Sequence, residues 1–225
     1  MIDLLEGLAK TRTIRRYADE KVPDEVLSQI LWHATRAPSG SNRQLVRYLV
    51  LRDDPASMEA REVLGRVARA TWAKKLEMDG YTSGTGVDPA SPKARMAATM
   101  QHYVDHFHEV PVIVLVCLMR NREPSPYEGA SVYPAVQNLL LAARALDYGG
   151  AVCMWHQLVD ADLRRIFSIP DEVALSACIT LGRPAGSHGP VRRRPLRDVV
   201  FEGGWGEQVD WATDPEGTRF THWKS

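Results

Sequence analysis

Apolar residues follow two patterns along this chain, and each pattern predicts one kind of element. Several segments carry apolar residues at helical spacing, as in Val26, Leu27, Ile30, Leu31 and Ala34, which is typical of amphipathic helices. Others are short, continuously apolar and β-branched, which favours buried strands. Helices are predicted over 3–10, 23–36, 56–76, 93–108, 136–146 and 160–167. Strands are predicted over 48–51, 112–117, 151–155 and 174–181, with a final edge strand over 196–201.

The order of these elements indicates the fold class. Helices bunch between strands irregularly, and the sequence contains no internal repeat. This order favours an α+β fold around one sheet over a regular alternation of strands and helices. The glycine-, serine- and proline-rich segment 79–92 is expected to be a lid or a mobile loop. The tail from Gly203 mixes aromatic and polar residues, and we expect it to lie on another surface.

The composition disfavours several classes of protein. A chain of 225 residues with 44% hydrophobic and 25% charged residues is typical of a globular protein with a sizeable core. Its 28 basic and 28 acidic residues balance, so no bulk charge favours nucleic acid or a membrane surface. No apolar run approaches the ~20 residues that span a bilayer, and the N-terminal segment does not resemble a signal peptide. Cys117, Cys153 and Cys178 show no metal or disulfide spacing, which favours reduced thiols and a cytoplasmic location.

The segment 37–44, with the sequence APSGSNRQ, lies between a predicted helix and a predicted strand. Its proline, serines and glycine indicate that the helix ends and a polar turn begins. Hydroxyls, side-chain amides and freed backbone amides in such a turn can bind a flat, polar, hydrogen-bonding ring. A solvated loop between helix and strand is the alternative interpretation.

Two clusters of arginines lie far apart in the sequence. A guanidinium binds a phosphate bidentately and stays charged at any working pH. Because the chain has neither a P-loop nor a G-x-G-x-x-G turn after a strand, an anion would be held by arginine side chains. The clusters could converge on one anion, or they could be solvated basic loops or a nucleic-acid contact, although zero net charge disfavours nucleic acid. They comprise Arg12, Arg15 and Arg16, and Arg192, Arg193 and Arg194.

Three histidines lie on or beside the helix predicted over 93–108. His102 and His106 have a spacing that can bind zinc, but no H-E-x-x-H motif or suitably placed acid accompanies them. A solvated or dimer-facing helix surface is therefore favoured, and no metal site is predicted. Neither a G-x-S-x-G motif nor a cysteine with a catalytic signature is present, so no side-chain nucleophile is predicted.

Four blocks of the sequence resemble the FMN-dependent nitroreductase family, in the family's order and spacing. They are TRTIRRY (11–17), VPDEVLSQILWHATRAPSGSNRQ (22–44), AVQNLLLAARALDYGG (135–150) and RRRPL (192–196). The resemblance implies an α+β nitroreductase-like fold with a central mixed sheet flanked by helices. It also implies an intertwined homodimer with two FMN molecules at its interface. The FMN-binding domain would span 1–206, and 207–225 would be a C-terminal tail extension.

The resemblance assigns cofactor-binding residues near the N-terminus. Arg12, Thr13 and Arg15 match the block that grips the flavin, and Arg15 would lie near the N1–O2 edge of the ring. A cation there would stabilise the anionic reduced ring electrostatically. A second set matches the loop that reaches the flavin, in this family typically from the other subunit. It consists of Pro38, Ser39, Asn42 and Gln44.

Further cofactor-binding residues are implied in the second half of the chain. Met154 and Trp155 match the segment that backs the flavin ring. Two positions depart from the family pattern: Thr11 stands where a phosphate-binding arginine is common, and Leu45-Val46 replaces a common Pro-Trp pair. Phosphate binding would therefore depend on Arg12 and on the second arginine cluster, residues 192–194, which we call the late cluster. In the late cluster, Arg193 would act with Arg192 or Arg194.

The function implied by the resemblance is a flavoprotein oxidoreductase of the nitroreductase type. NADPH or NADH would reduce FMN, and an electron-poor acceptor such as a nitroaromatic or a quinone would then be reduced in a ping-pong cycle. The chemistry belongs to the flavin, which agrees with the lack of a predicted catalytic side chain. Alternatives are reductive dehalogenation, flavin cleavage, or a flavin-binding protein without NAD(P)H turnover.

Overall fold

The computed structural model describes residues 2–186, 188–189 and 191–221. Within them, one sheet is built from β1 (Val46–Leu51), β2 (Val112–Met119), β3 (Gly149–Cys153) and β4 (Val173–Gly182). The strand order is β1-β2-β4-β3. The central strands β2 and β4 are buried over nearly their whole length. Both faces of the sheet are covered, which explains why these two strands are continuously apolar.

Helices pack on both faces of this sheet. The described helices are α1 (Leu4–Lys10), α2 (Asp24–Ala34), α3 (Pro55–Met78), α4 (Pro92–Asp105), α5 (Gly129–Ala145) and α6 (Asp160–Phe167). Val114 faces a core shared with α2 and α5. Its neighbour Leu115 faces a second core shared with α3, α4 and α6. Successive strand residues point to opposite faces, so one sheet separates the two cores.

The α+β fold class agrees with the sequence, but the expectation of a mixed sheet is wrong for the described strands. All three strand pairings are antiparallel. Helix α5 carries the chain back across the sheet, so β2 and β3 run in the same direction. Strand β4 lies between them and runs the other way. Each hydrogen-bonded neighbour is therefore antiparallel, although two strands are joined by a crossover.

Several predicted boundaries differ from the structure. Helix α5 begins at Gly129 and contains Pro134 in its interior, whereas the sequence predicted a start at residue 136. Val132 and Ala135 are buried in the first turns of α5, so packing overrides the usual helix-breaking effect of the proline. The final edge strand predicted over 196–201 is wrong, because Leu196–Asp198 forms a single 3₁₀ turn, in which the amides of Val199 and Val200 donate to the carbonyl of Leu196.

One buried charge joins the ends of two strands. Arg61, on α3, is only 3% exposed. Its guanidinium donates to the carbonyl of Leu51 at 2.8 Å, of His108 at 3.1 Å and of Pro111 at 3.3 Å, and also to that of Val110. These carbonyls lie at the end of β1 and just before β2. Arg61 therefore supplies hydrogen-bond donors to backbone carbonyls where β1 ends and where the chain enters β2.

The part of the chain that the structure describes contains no helix that is both long and apolar enough to cross a membrane.

Candidate functional site

The two arginine clusters of the sequence meet at one cavity. Arg12, Arg192 and Arg193 line a cavity of about 560 Å³, which lies in the ~300–1,000 Å³ range of small-molecule sites. Arg12 Nη1 donates to the carbonyl of Gly189 at 3.1 Å. This hydrogen bond connects the N-terminal arginine cluster to the segment that leads into the late cluster. Arg194 is not among the described lining residues. We call this cavity the arginine cavity.

The backbone that carries the first cluster is fixed against the edge of the sheet. The amide of Ile14 donates to the carbonyl of Gly150 in β3 at 2.9 Å. A Cβ atom on Gly149 would lie 2.5 Å from Ile14 Cγ1, so only glycine admits this close approach. The glycine pair that the sequence showed at 149–150 therefore lets the arginine-bearing segment dock on β3.

Arg15 faces a second cavity of about 210 Å³, which it lines with Tyr17, Tyr103, His102 and others. The two tyrosine hydroxyls converge on Thr180 Oγ1, at 2.8 Å from Tyr17 and 2.7 Å from Tyr103. Burial raises the pKa of both tyrosines above the ordinary value. The hydroxyls therefore stay protonated at neutral pH.

Met154 and Trp155, the two residues predicted to back the flavin, follow β3 and have different environments. Met154 is partly exposed at the end of the strand. Trp155 instead packs inward, with its ring centroid 5.5 Å from that of Phe107 and 5.9 Å from that of Tyr103. Such offset and edge-on ring contacts are favourable. Trp155 thus belongs to an aromatic cluster behind the second cavity.

The loop 38–44 has an unusual backbone. Ser41, Asn42 and Gln44 all have φ near +52°, in the left-handed region, which non-glycine residues seldom adopt. Ser39 Oγ accepts from the amide of Gln44 at 2.9 Å, and Gln44 Nε2 donates to Asn42 Oδ1 at 3.2 Å. Strained and solvent-facing segments of this kind often occur at binding sites.

This loop does not meet the arginines within one chain. It leads into β1 at one edge of the sheet, whereas Ile14 docks on β3 at the opposite edge. The separation is about 14 Å across the sheet and about 20 Å along it, from strand spacing and rise. Pro38 is the first residue of the loop and lies on that far side, and Ser39 lines a different, small cavity.

Sequence reasoning missed two arginines that line the arginine cavity. Arg95 comes from the first turn of α4, and Arg219 comes from the C-terminal tail. Neither carries a local motif, so no signal in the sequence could have placed them here. Thr13 was predicted and also lines the cavity.

The cysteines of the structure are unpaired and buried. Burial raises the pKa of Cys117 to about 11, so its thiol is protonated at neutral pH and unreactive. Cys117 is therefore not suited to act as a nucleophile.

The fold and the cavities define an α+β protein with a cationic site at the β3 edge of an antiparallel sheet. Residues 8–183 match the Nitroreductase family, and the chain therefore belongs to the nitroreductase family. This confirms the family and fold class that the sequence predicted. Family membership makes the chain an oxidoreductase, as expected.

Individual relatives resemble most of the chain. An NADH dehydrogenase of Thermus thermophilus is 28% identical, over 89% of this chain and 96% of its own length. An iodotyrosine deiodinase of Thermotoga neapolitana is 26% identical, over 88% of this chain and 96% of its own. A Desulfovibrio desulfuricans protein solved in complex with FMN is 29% identical and superposes with a TM-score of 0.64, over 91% of this chain and 98% of its own.

Proposed function

We propose that this chain is an FMN-dependent oxidoreductase that takes electrons from NADPH or NADH. It passes them to electron-poor acceptors such as nitroaromatics or quinones in a ping-pong cycle. The observation that carries the proposal is the meeting of Arg12 with Arg192 and Arg193 around one cavity. The relatives support it, since one was solved with FMN and another is named an NADH dehydrogenase.

The side chains of the arginine cavity suit the phosphate of FMN. That group is a dianion at neutral pH, and guanidinium groups bind such anions bidentately. The described lining residues include no carboxylate that would repel it. Arg12 and Arg193 would hold the phosphate, with Thr13 as a further donor. Arg192 would add to the positive charge.

The remaining predicted residues would orient the flavin and tune its charge. FMN supplies the hydride chemistry when bound. Arg15, in the second cavity, would stabilise negative charge that develops during reduction. Met154 and Trp155 would back the ring. No acid or nucleophile of the chain is required.

The loop 38–44 supports an intertwined homodimer. Its side chains lie at the sheet edge opposite the arginines, so they reach a flavin only if a second copy presents them. Apolar side chains are also left exposed: Leu4 and Leu5 on α1 are 68% and 73% exposed, and Trp205 in the tail is 96% exposed. A second copy would cover such surfaces, which are uncommon on monomers.

The proposed homodimer can be tested by its mass in solution. Light scattering of the flavin-loaded protein at micromolar concentration is expected to give twice the 25.2 kDa chain mass. A double substitution of Leu4→Ser and Leu5→Ser is expected to weaken the association, because it removes the apolar residues of α1. A flavin-loaded protein that scatters as a single chain would contradict the dimer.

We keep the division into a domain over 1–206 and a tail over 207–225 as a proposal. The tail lies on the segment that carries the late arginines. The amide of Thr221 donates to the carbonyl of Arg193 at 2.8 Å, and that of Leu196 donates to Asp214 Oδ2 at 3.0 Å. The cytoplasmic location also stays a prediction, which rests on the unpaired cysteines.

The proposed function predicts a coloured, reducible protein. The purified protein should show a flavin absorbance spectrum that is bleached anaerobically by NADPH or NADH, and the heat-released cofactor should run as FMN in chromatography. Recovery of FAD, or of no flavin after reconstitution, would overturn the proposal. A flavin that neither nicotinamide reduces would favour a binding protein without turnover.

Arg15 is expected to control the reduction potential. Arg15→Ala in the FMN-loaded protein should lower the potential and slow reduction by the nicotinamide, because one charge-assisted contact of about 1.5–3 kcal/mol is lost. That corresponds to roughly tenfold or more in rate. Arg16→Ala, one residue away and exposed, is the matched control and should leave the potential nearly unchanged. Equal potentials for Arg15→Ala and the native protein would contradict this role.

Reductive dehalogenation is a second candidate because the Thermotoga neapolitana relative is named an iodotyrosine deiodinase. One assay can distinguish reductive dehalogenation from the reduction of nitroaromatics. Nicotinamide-reduced protein is mixed anaerobically with 3-iodotyrosine or with a nitroaromatic, and reoxidation is followed. Reoxidation with release of iodide by the first compound alone would favour dehalogenation.

A further inference from the structure

We infer that Arg95 and Arg219 bind the 2′-phosphate that distinguishes NADPH from NADH, so that this protein selects NADPH as its electron donor. The inference rests on the proposed function and adds the identity of the donor. Five arginines line the arginine cavity: Arg12, Arg95, Arg192, Arg193 and Arg219.

The charges of the five cavity arginines are not balanced by acidic side chains of the described residues. Arg120, Arg164 and Arg183 each pair with a carboxylate. Within residues 2–186, 188–189 and 191–221, none of the five cavity arginines forms an ion pair. The whole chain has equal numbers of acidic and basic residues. The cavity is therefore a local excess of positive charge, which repels itself unless anions enter it.

One phosphate of FMN does not account for five guanidinium groups. A monoester dianion is neutralised by about two of them, and Arg12 with the late cluster provides these. The surplus charge suits a second dianion in the same cavity. NADPH carries such a group, since its 2′-phosphate distinguishes it from NADH and is commonly recognised by arginine.

Arg95 occupies a position where a positive charge is unfavourable without a bound anion. It lies in the first turn of α4, where the helix dipole favours acidic side chains, yet that turn contains no acid. Its Nη1 donates to the carbonyl of Ala90, and Pro92 of the same turn lines the cavity. Lys93 turns away instead and lies over the ring of Tyr81. An anion in the cavity would be attracted both by Arg95 and by the start of the helix.

Arg219 is held at the cavity by the backbone of the tail. Phe220 forms a parallel bridge with Arg193, and the amide of Thr221 donates to the Arg193 carbonyl at 2.8 Å. These bonds fix residue 219 beside the late cluster and leave its side chain exposed. The tail, which the sequence left without a role, therefore contributes a charge to the site.

The test uses the FMN-loaded protein and the double variant Arg95→Gln/Arg219→Gln. The native protein should have a higher kcat/KM with NADPH than with NADH, and the double variant should reduce this ratio about 10- to 100-fold, as expected for lost charge-assisted contacts. By calorimetry, adenosine 2′,5′-bisphosphate should bind the native protein more tightly than 5′-AMP, and the variant should lose that difference. Arg197→Gln, exposed in the same region and outside the cavity lining, is the control that should change neither measurement.

Each result decides the inference separately from the proposed function. Equal use of NADPH and NADH by the native protein, with equal binding of the two adenosine phosphates, would overturn the inference while the oxidoreductase stands. Loss of FMN from the double variant would also overturn it, because the two arginines would then serve the flavin phosphate. If neither nicotinamide is oxidised, the proposed function fails. The calorimetric comparison then still shows whether these residues select a 2′-phosphate.

Discussion

Arg61→Met is expected to destabilise the FMN-loaded protein by roughly 3–5 kcal/mol, since several buried or partly buried carbonyls lose their donor and each unsatisfied buried group costs about 1–3 kcal/mol. The affected carbonyls include those of Leu51, His108 and Pro111. Methionine fills similar volume but donates no hydrogen bond, so packing loss contributes little. The free energy of unfolding, measured by denaturant titration with the flavin-loaded protein, is the readout.

The matched control is Arg66→Met on the same helix. Arg66 is exposed, and surface substitutions of this kind usually change stability by less than about 0.5 kcal/mol. Arg61→Lys is expected to fall between the two, because one ammonium group cannot reach carbonyls on both sides of the guanidinium. An Arg61→Met protein that unfolds at the native denaturant concentration would show that water replaces the guanidinium without cost.

Removing two arginines of the arginine cavity is expected to release the cofactor. In Arg12→Gln/Arg193→Gln, two charge-assisted contacts of about 1.5–3 kcal/mol each are lost. The dissociation constant for FMN should therefore rise by roughly two to four orders of magnitude. Titration of the apoprotein with FMN, followed by quenching of flavin fluorescence, measures the change. Position 11 does not compensate, because Thr11 stands where a phosphate-binding arginine is common in the family.

Arg197→Gln again serves as the control, and its FMN affinity should match that of the native protein. The FMN affinity of the native protein should fall as salt is added, because ionic contacts are screened, and the affinity of the double variant should fall less steeply because two of those contacts are gone. If the Arg12→Gln/Arg193→Gln protein binds FMN as tightly as the native protein does, the phosphate lies elsewhere. That result would contradict the proposal that the arginine cavity binds the FMN phosphate.

The strands show what local sequence can determine. Residues 112–117 and 174–181 were predicted as central strands, and the structure extends them only slightly, to Val112–Met119 and Val173–Gly182. Their apolar runs are continuous because both faces of the sheet are covered, which is a local consequence of a simple layered fold. Segment 196–201 was misread because Leu196 and Val199 are apolar, yet the segment pairs with none of the strands that the structure describes.

Candidate binding residues fall into two groups, according to whether a local sequence motif marks them. Arg12, Arg15 and the loop 38–44 carry motifs, so the sequence could name them. Arg95 and Arg219 have no motif and become visible only when α4 and the tail fold onto the late arginines. Arg61 likewise has no signal, because its function depends on carbonyls that lie 10 to 50 positions away in the sequence.

The sequence by itself determined the family, the α+β class, most of the helices and strands, and the arginine and polar blocks, because these depend on local periodicity and on motifs that are contiguous in the chain. Only the tertiary structure decided which of these blocks share a site. The strand order β1-β2-β4-β3 puts the loop 38–44 and the arginine-bearing segment at opposite edges of the sheet. The physical reason is that strand order and the path of the tail are set by long-range packing, and spacing in the sequence does not encode either.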